Sequence, residues 1–258
     1  MRGGGDGMTG RAVIRTAVST IPLLALTLGT AAAADEPSAR ELATQAKDNL
    51  LDARSVHLKL TDRGTSPSAG GTLPTSMDLA LDRDGNCAGT LRMGSNGGKV
   101  EIVKRGHEVW MKPDAAFWKS QVPGGQGEAV AELFRNRYIH GSTKDAMLKG
   151  MADTCDLNAF QKDIATPDSS GATPLTKGEE TTVDGTKVIP LNGREDGHRT
   201  TLYVTSDSPH RLVSATQKGD GTDLTLSFTD YDKPVPSRTP SPDDSVDVGK
   251  LKEELRSV

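Results

Sequence analysis

The hydrophobic residues that follow position 36 begin with a helical period. They recur every three or four residues, which predicts an amphipathic helix over residues 37–54 whose apolar face consists of Leu42, Ala46, Leu50 and Ala53. Ser38 and Glu41 form the Ser-x-x-Glu pattern of a capping box at its start. The helix is therefore expected to lie with one face on an apolar surface.

From residue 55 the period changes to two, which predicts β-strands. Short segments up to residue 112 alternate apolar and polar positions, and turns at 84–86, 96–98 and 105–106 separate some of them. Consecutive strands joined by tight turns form an antiparallel meander. Because side chains alternate across a strand, we expect ten apolar residues to share one face and to contact a ligand: Val56, Leu58, Leu60, Met77, Leu79, Leu81, Leu91, Met93, Val100 and Ile102.

The middle of the chain returns to helical patterns before strands resume. Helices are predicted over 128–137, 145–151 and 157–164, then a patternless segment over 165–177, then strands within 181–191, 199–205, 210–217 and 223–229. The order helix, strands, helices, strands predicts an α+β fold. One antiparallel sheet can hold both runs of strands, with the apolar helix residues, including Leu42, Leu50 and Leu133, covering one face.

The N-terminal residues have the three zones of a secretory signal peptide. Arg11 and Arg15 precede an uncharged apolar run over 17–28, and the small residues Ala32 and Ala34 fit the A-x-A cleavage pattern. The alternative is a membrane anchor, but the run is shorter than the ~20 residues of a membrane span. We therefore expect a signal peptide over 1–34, whether translation starts at the first or the second Met, and a secreted mature protein.

Two further divisions follow from composition. Residues 35–233 are expected to form the folded domain, and residues 234–258 a proline-rich, charged tail. No cysteine stands at the cleavage point, where Asp35 follows Ala34, so we expect the mature protein to lack the acceptor for lipid attachment. Cys87 and Cys155 are interpreted as a disulfide, because exported chains fold in oxidising compartments. Two free thiols are the alternative.

The remaining composition limits the function classes. A net charge of −4 argues against nucleic-acid binding, which requires a basic face. Only nine residues are aromatic (two Trp, three Tyr, four Phe), which favours an open sheet with an incompletely filled interior. No catalytic or metal-binding motif is recognisable, so we expect neither an enzyme nor a cofactor nor a metal site. The segment 108–120 concentrates both tryptophans and is either a core cluster or a lip at a cavity entrance.

The layout resembles bacterial exported proteins of the LolA-like fold, notably the LppX/LprG lipoprotein group. The resemblance rests on the first helix (ARELATQAKDNLLDARSVHLKL), a strand with a cysteine (DGNCAGTLRM), the text KVEIVKRGHEVWMKPDAAFWKS and a second cysteine in MADTCDL. The C-terminal half contributes VDGTKVIPLNG, TTLYVTSDSPHRLVSATQKG and LTLSFTDYDKPV. It implies a curved antiparallel sheet forming an incomplete barrel, with helices covering its concave face.

The resemblance also implies a function. In this group the space between sheet and helices holds acyl chains, and its members carry lipids or lipoproteins through the envelope. We therefore expect a non-enzymatic protein that binds a lipid or other apolar molecule and contacts membrane surfaces transiently. The alternative is an envelope sensor or protein-interaction module that uses the same fold without a bound lipid. The oligomeric state does not follow from the sequence.

Overall fold

The computed structural model describes residues 36–65, 74–94, 97–122, 124–166, 174–195 and 197–249, and the expected signal peptide lies outside these ranges. Within them the helices are α1 (Ala39–Asp52), α2 (Ala115–Gln121), α3 (Gly127–Leu133), α4 (Ala146–Asp153) and α5 (Leu157–Ala165). The first strands are β1 (Ser55–Asp62), β2 (Pro74–Asp82), β3 (Cys87–Met93), β4 (Lys99–Arg105), β5 (Glu108–Pro113) and β6 (Tyr138–Ser142). The later strands are β7 (Thr176–Lys177), β8 (Thr181–Val183), β9 (Thr186–Glu195), β10 (His198–Thr205), β11 (Leu212–Gly219), β12 (Thr222–Thr229) and β13 (Ser245–Asp247).

Both runs of strands belong to one curved sheet. Its order is β13-β6-β5-β4-β3-β2-β1-β12-β11-β10-β9-β7, and β8 also pairs with β9. Strand β1 of the first run pairs antiparallel with β12 of the second run, with Leu58 opposite Phe228. This pairing makes the two runs one continuous sheet. The sheet does not close into a barrel, and the helices cover its concave face. The predicted α+β fold class is confirmed.

The register places the ten predicted residues on one face of the sheet. Directly opposite residues share a face, and Leu60 pairs with Met77, Met77 with Leu91, and Leu91 with Val100. A neighbouring row contains Leu58, Leu79 and Ile102. Leu60 and Met77 are partly buried, and the other eight are buried. This face meets the helices.

Helix α1 forms where the sequence predicted it. The Ser38 hydroxyl accepts from the Glu41 amide at 3.3 Å, and the Glu41 carboxylate accepts from the Ser38 amide at 2.8 Å. This capping box satisfies amide groups that the first helical turn leaves without partners. Leu42, Ala46 and Leu50 are buried, so the predicted apolar face faces the sheet.

The expectation for Leu133 is wrong, because this side chain is 67% exposed. Helix α3 ends at Leu133, and the next residue, Phe134, is the one that enters the core. There Phe134 stacks on Trp118 at a centroid distance of 5.5 Å. Phe134 therefore takes the inward position that the longer predicted helix gave to Leu133.

Two elements of the middle region were not predicted. The Asp114 carboxylate accepts from the Phe117 amide at 2.8 Å and starts α2 within the aromatic segment. Strand β6 follows α3 and pairs with β5. Phe117 and Trp118 are buried in the core, as the cluster interpretation requires. The interpretation as a lip at a cavity entrance therefore does not fit these two residues.

The predicted disulfide is present and links β3 to the end of α4. Cys87 and Cys155 are fully buried, with their Cα atoms 5.5 Å apart. The bond closes a loop with a sequence separation of 68 residues. It therefore fastens the middle helices to the concave face of the first meander.

The first residues of the expected tail lie against the convex face of the sheet. Residues 234–236 line a small cavity of about 260 Å³ together with Ala80 and Ala88 of that face. The Arg105 guanidinium donates to the Ser237 carbonyl at 3.4 Å. Strand β13 then pairs in parallel with β6 at the sheet edge. The boundary between domain and tail at residue 233 stays a prediction.

Candidate ligand-binding cavity

An apolar cavity of about 570 Å³ lies between α1, α5 and the second run of strands. Its floor is the concave face of β10, β11 and β12, formed by Leu202, Leu212, Ala215, Leu226 and Phe228. Its walls are α1, with Ala43, Ala46 and Leu50, and α5, with Phe160 and Ile164. A volume in this range is typical of small-molecule sites.

The floor is deepest at Ala215, a small residue in a row of leucines. Across the sheet Leu60 lies opposite Leu226, Leu226 opposite Ala215, and Ala215 opposite Leu202. Leu202, Ala215 and Leu226 all remain partly exposed. Alanine has only a methyl group in a row of longer side chains, so the helices bridge over a gap instead of filling it.

Specific hydrogen bonds hold α1 in place above this floor. The Gln161 side-chain amide of α5 donates to the carbonyls of Leu50 and Ala53, each at 2.9 Å. These carbonyls belong to the last turn of α1, where groups lack intrahelical partners. The Asn49 amide donates to the His210 carbonyl at 2.7 Å. Polar contacts thus fix α1 to α5 and to the connection between β10 and β11.

The mouth of the cavity is positively charged. Arg40, Thr44 and Lys47 of α1 line the cavity where it opens to solvent, since Arg40 and Thr44 are exposed and Lys47 is partly exposed. Among the described lining residues Arg40 and Lys47 are the only charged ones. An apolar interior with a polar, charged edge suits a molecule that has an aliphatic part and a polar end.

The structure places the ten sequence-predicted residues beside this cavity instead of around it. They belong to or pack against the large core cluster with α4, the disulfide and the aromatic residues, and none of them lines the cavity. Their assignment as ligand contacts stays a prediction. The lining residues that were missed lie in the second run, where Leu224, Leu226 and Phe228 alternate with polar residues. That alternation predicts a strand but does not indicate that the strand lines a cavity.

A second cavity, of about 550 Å³, is polar and lies near β4, β5, α2 and α3. Its charges pair with each other: Lys112 lies 3.3 Å from Glu101, and Lys119 lies 3.1 Å from Glu128. The Tyr138 hydroxyl donates to Glu101, and burial together with this bond raises the pKa of Tyr138.

No group of three or more His, Cys, Asp or Glu side chains in the described ranges is arranged to hold a metal ion. No described helix combines the length and apolar character needed to cross a bilayer.

The sequence matches no family model and no curated protein. Among solved structures, the chain is similar to lipoprotein LppX of Mycobacterium tuberculosis (15% identity, 76% of this chain and 96% of that chain, TM-score 0.47). It is also similar to LprF of Mycobacterium bovis (16%, 79% and 97%, TM-score 0.49) and to a LolA superfamily protein of Nitrosomonas europaea (12%, 78% and 96%, TM-score 0.21). The open curved sheet with helices on its concave face has the architecture that the sequence resemblance implied.

Proposed function

We propose that the mature protein is an exported, non-enzymatic carrier that binds the aliphatic part of a lipid-like molecule in the cavity under α1. The observation that carries this proposal is the cavity itself, about 570 Å³ in volume and floored by partly exposed leucines. Apolar side chains that line an open depression gain stability when an apolar ligand removes them from water. Contiguous exposed apolar surface of this kind marks binding sites in soluble proteins.

The energetics favour a long chain as the ligand. Each methylene group that is buried contributes about 0.8 kcal/mol, whereas association costs on the order of 4–15 kcal/mol of lost freedom. A chain of a few carbons cannot offset that cost, but one of a dozen or more can. Selectivity would then depend on chain length and on the polar end of the molecule.

Export is the second part of the proposal. It rests on the positive, apolar and small-residue zones that precede Asp35. We expect the secreted protein to begin at Asp35, and N-terminal sequencing of protein from the culture medium measures this. An uncut chain in the membrane fraction would contradict it.

The binding proposal is tested by titrating residues 35–258 with a fluorescent long-chain fatty acid. We expect saturable binding at one molecule per chain and weaker binding of a short-chain analogue. A failure to take up any long chain would contradict the carrier function. It would favour the sensor or interaction module that the sequence left as the alternative.

A further inference from the structure

The two cations at the cavity mouth flank its opening on α1. Arg40 and Lys47 are seven residues apart, which is about two helical turns or 10 Å along the axis. Ala43 and Thr44 line the same mouth between them, and these small side chains leave the space between the cations open. A polar group emerging from the cavity at this point would therefore lie near both cations.

Within the described part of the chain, neither cation has a salt bridge. On a helix, partners of Arg40 and Lys47 would stand three or four residues away. At those positions Arg40 has Ala43 and Thr44 within the helix and Glu36 before its start, and Lys47 has Ala43, Thr44, Leu50 and Leu51. The acidic residues of α1 are Glu41, Asp48 and Asp52, and none of them stands at these positions. The Glu41 carboxylate already accepts from the Ser38 amide. The positive charge at the mouth is thus not neutralised by the helix that carries it.

We propose, on the basis of the carrier function above, that the ligand is an anionic amphiphile with a single aliphatic chain. Its chain lies in the cavity, and its carboxylate or phosphate lies at α1 between Arg40 and Lys47. Hydrogen bonds between such oxygens and cationic side chains are among the stronger polar contacts in proteins. The long stems of Lys47 and Arg40 cover apolar surface while their charged ends stay in water beside the head group.

The volume supports one chain. A water molecule occupies about 30 Å³ in the liquid, and a methylene group is of similar size. A cavity of about 570 Å³ therefore accommodates on the order of 20 such groups. That corresponds to one long acyl chain, and a second chain would extend beyond the depression.

The test compares palmitate with hexadecanol, which has the same chain length and a neutral end. Both displace a neutral fluorophore, N-phenyl-1-naphthylamine, from residues 35–258 at pH 8 and low salt. We expect palmitate to bind about tenfold more tightly, from two exposed charge contacts, and high salt to reduce the difference. Palmitoyl lysophosphatidate is measured in parallel. If it binds more tightly than palmitate, the site prefers a phosphate end, and if palmitate binds more tightly, the site prefers a carboxylate end.

The variant R40Q/K47Q removes both charges, and K59Q/R199Q is the matched control on the other face of the sheet. We expect R40Q/K47Q to lose the preference for the anionic ligands while its affinity for hexadecanol stays the same, and the control to keep the preference. Equal affinities of the wild-type protein for palmitate and hexadecanol would overturn this inference and leave the carrier function standing. If neither molecule displaces the fluorophore, the carrier function itself fails.

Discussion

Filling the gap at Ala215 is the sharpest perturbation that the cavity offers. Ala215 lies at the centre of the floor between Leu202 and Leu226, and its side chain is partly exposed to the cavity. In Ala215→Trp the indole would occupy space that we assign to the ligand. Displacing three methylene groups costs about 2.4 kcal/mol at 0.8 kcal/mol each, which corresponds to about a 50-fold weaker Kd.

The same substitution should leave the free energy of unfolding nearly unchanged, because the indole enters open space and buries apolar surface of its own. Leu79→Trp is the contrast, since Leu79 is fully buried between Leu58 and Gly89 of the neighbouring strands. Overpacking there is expected to cost about 1–3 kcal/mol. Urea unfolding measures both variants.

Thr216→Trp serves as the matched control for binding. It changes the next residue of β11, whose side chain points to the opposite face of the sheet. We expect fatty-acid affinity close to that of the wild-type protein. The assignment of this cavity as the ligand site would be wrong if Ala215→Trp bound the fatty acid normally, or if it lost as much stability as Leu79→Trp.

Three further predictions concern the scaffold. The double variant C87S/C155S should lose about 4 kcal/mol of unfolding free energy, because the bond closes a loop with a separation of 68 residues; equal urea midpoints for variant and wild type would contradict this. Ser38→Ala removes one half of the capping box and should cost about 1 kcal/mol, measured by thermal unfolding against Thr44→Ala as an exposed control on the same helix. The hydrogen bond from Lys233 lowers the pKa of Asp230 in the folded protein. The stabilisation from this bond is therefore fully present above the pKa that Asp230 has in the unfolded chain, and it is lost as pH falls through the lower pKa of Asp230 in the folded protein. D230N should therefore lose less stability than the wild-type protein between about pH 5 and pH 2, and parallel curves would show that the pair contributes nothing.

Much of the sheet was predictable because its signals are local. Alternation within single strands identified β1 to β5, and the spacing of turns gave their antiparallel order. The Ser38 and Glu41 pattern marked the start of α1. The pairing of Cys87 with Cys155 needed only their number and an oxidising compartment. Each of these inferences depends on few residues that are close in sequence or on simple counting.

The cavity was not predictable, because it depends on contacts between distant segments. It exists where α1 crosses β10 and β11, and the alternation in those strands does not say which helix covers them. The position of Ala215 opposite two leucines follows from register, which no local pattern of the chain encodes. Strand β13 is equally hidden, since its three residues have no periodicity and pair in parallel with β6.

Native mass spectrometry of the mature protein, purified from its own host without detergent, tests most directly whether the protein carries a lipid-like molecule. We predict a population heavier than the polypeptide by the mass of one amphiphile. Solvent extraction should release that molecule, and the Ala215→Trp protein prepared in the same way should lack it. The carrier function would be contradicted if the wild-type protein carried no added mass and also took up no long-chain fatty acid in titration.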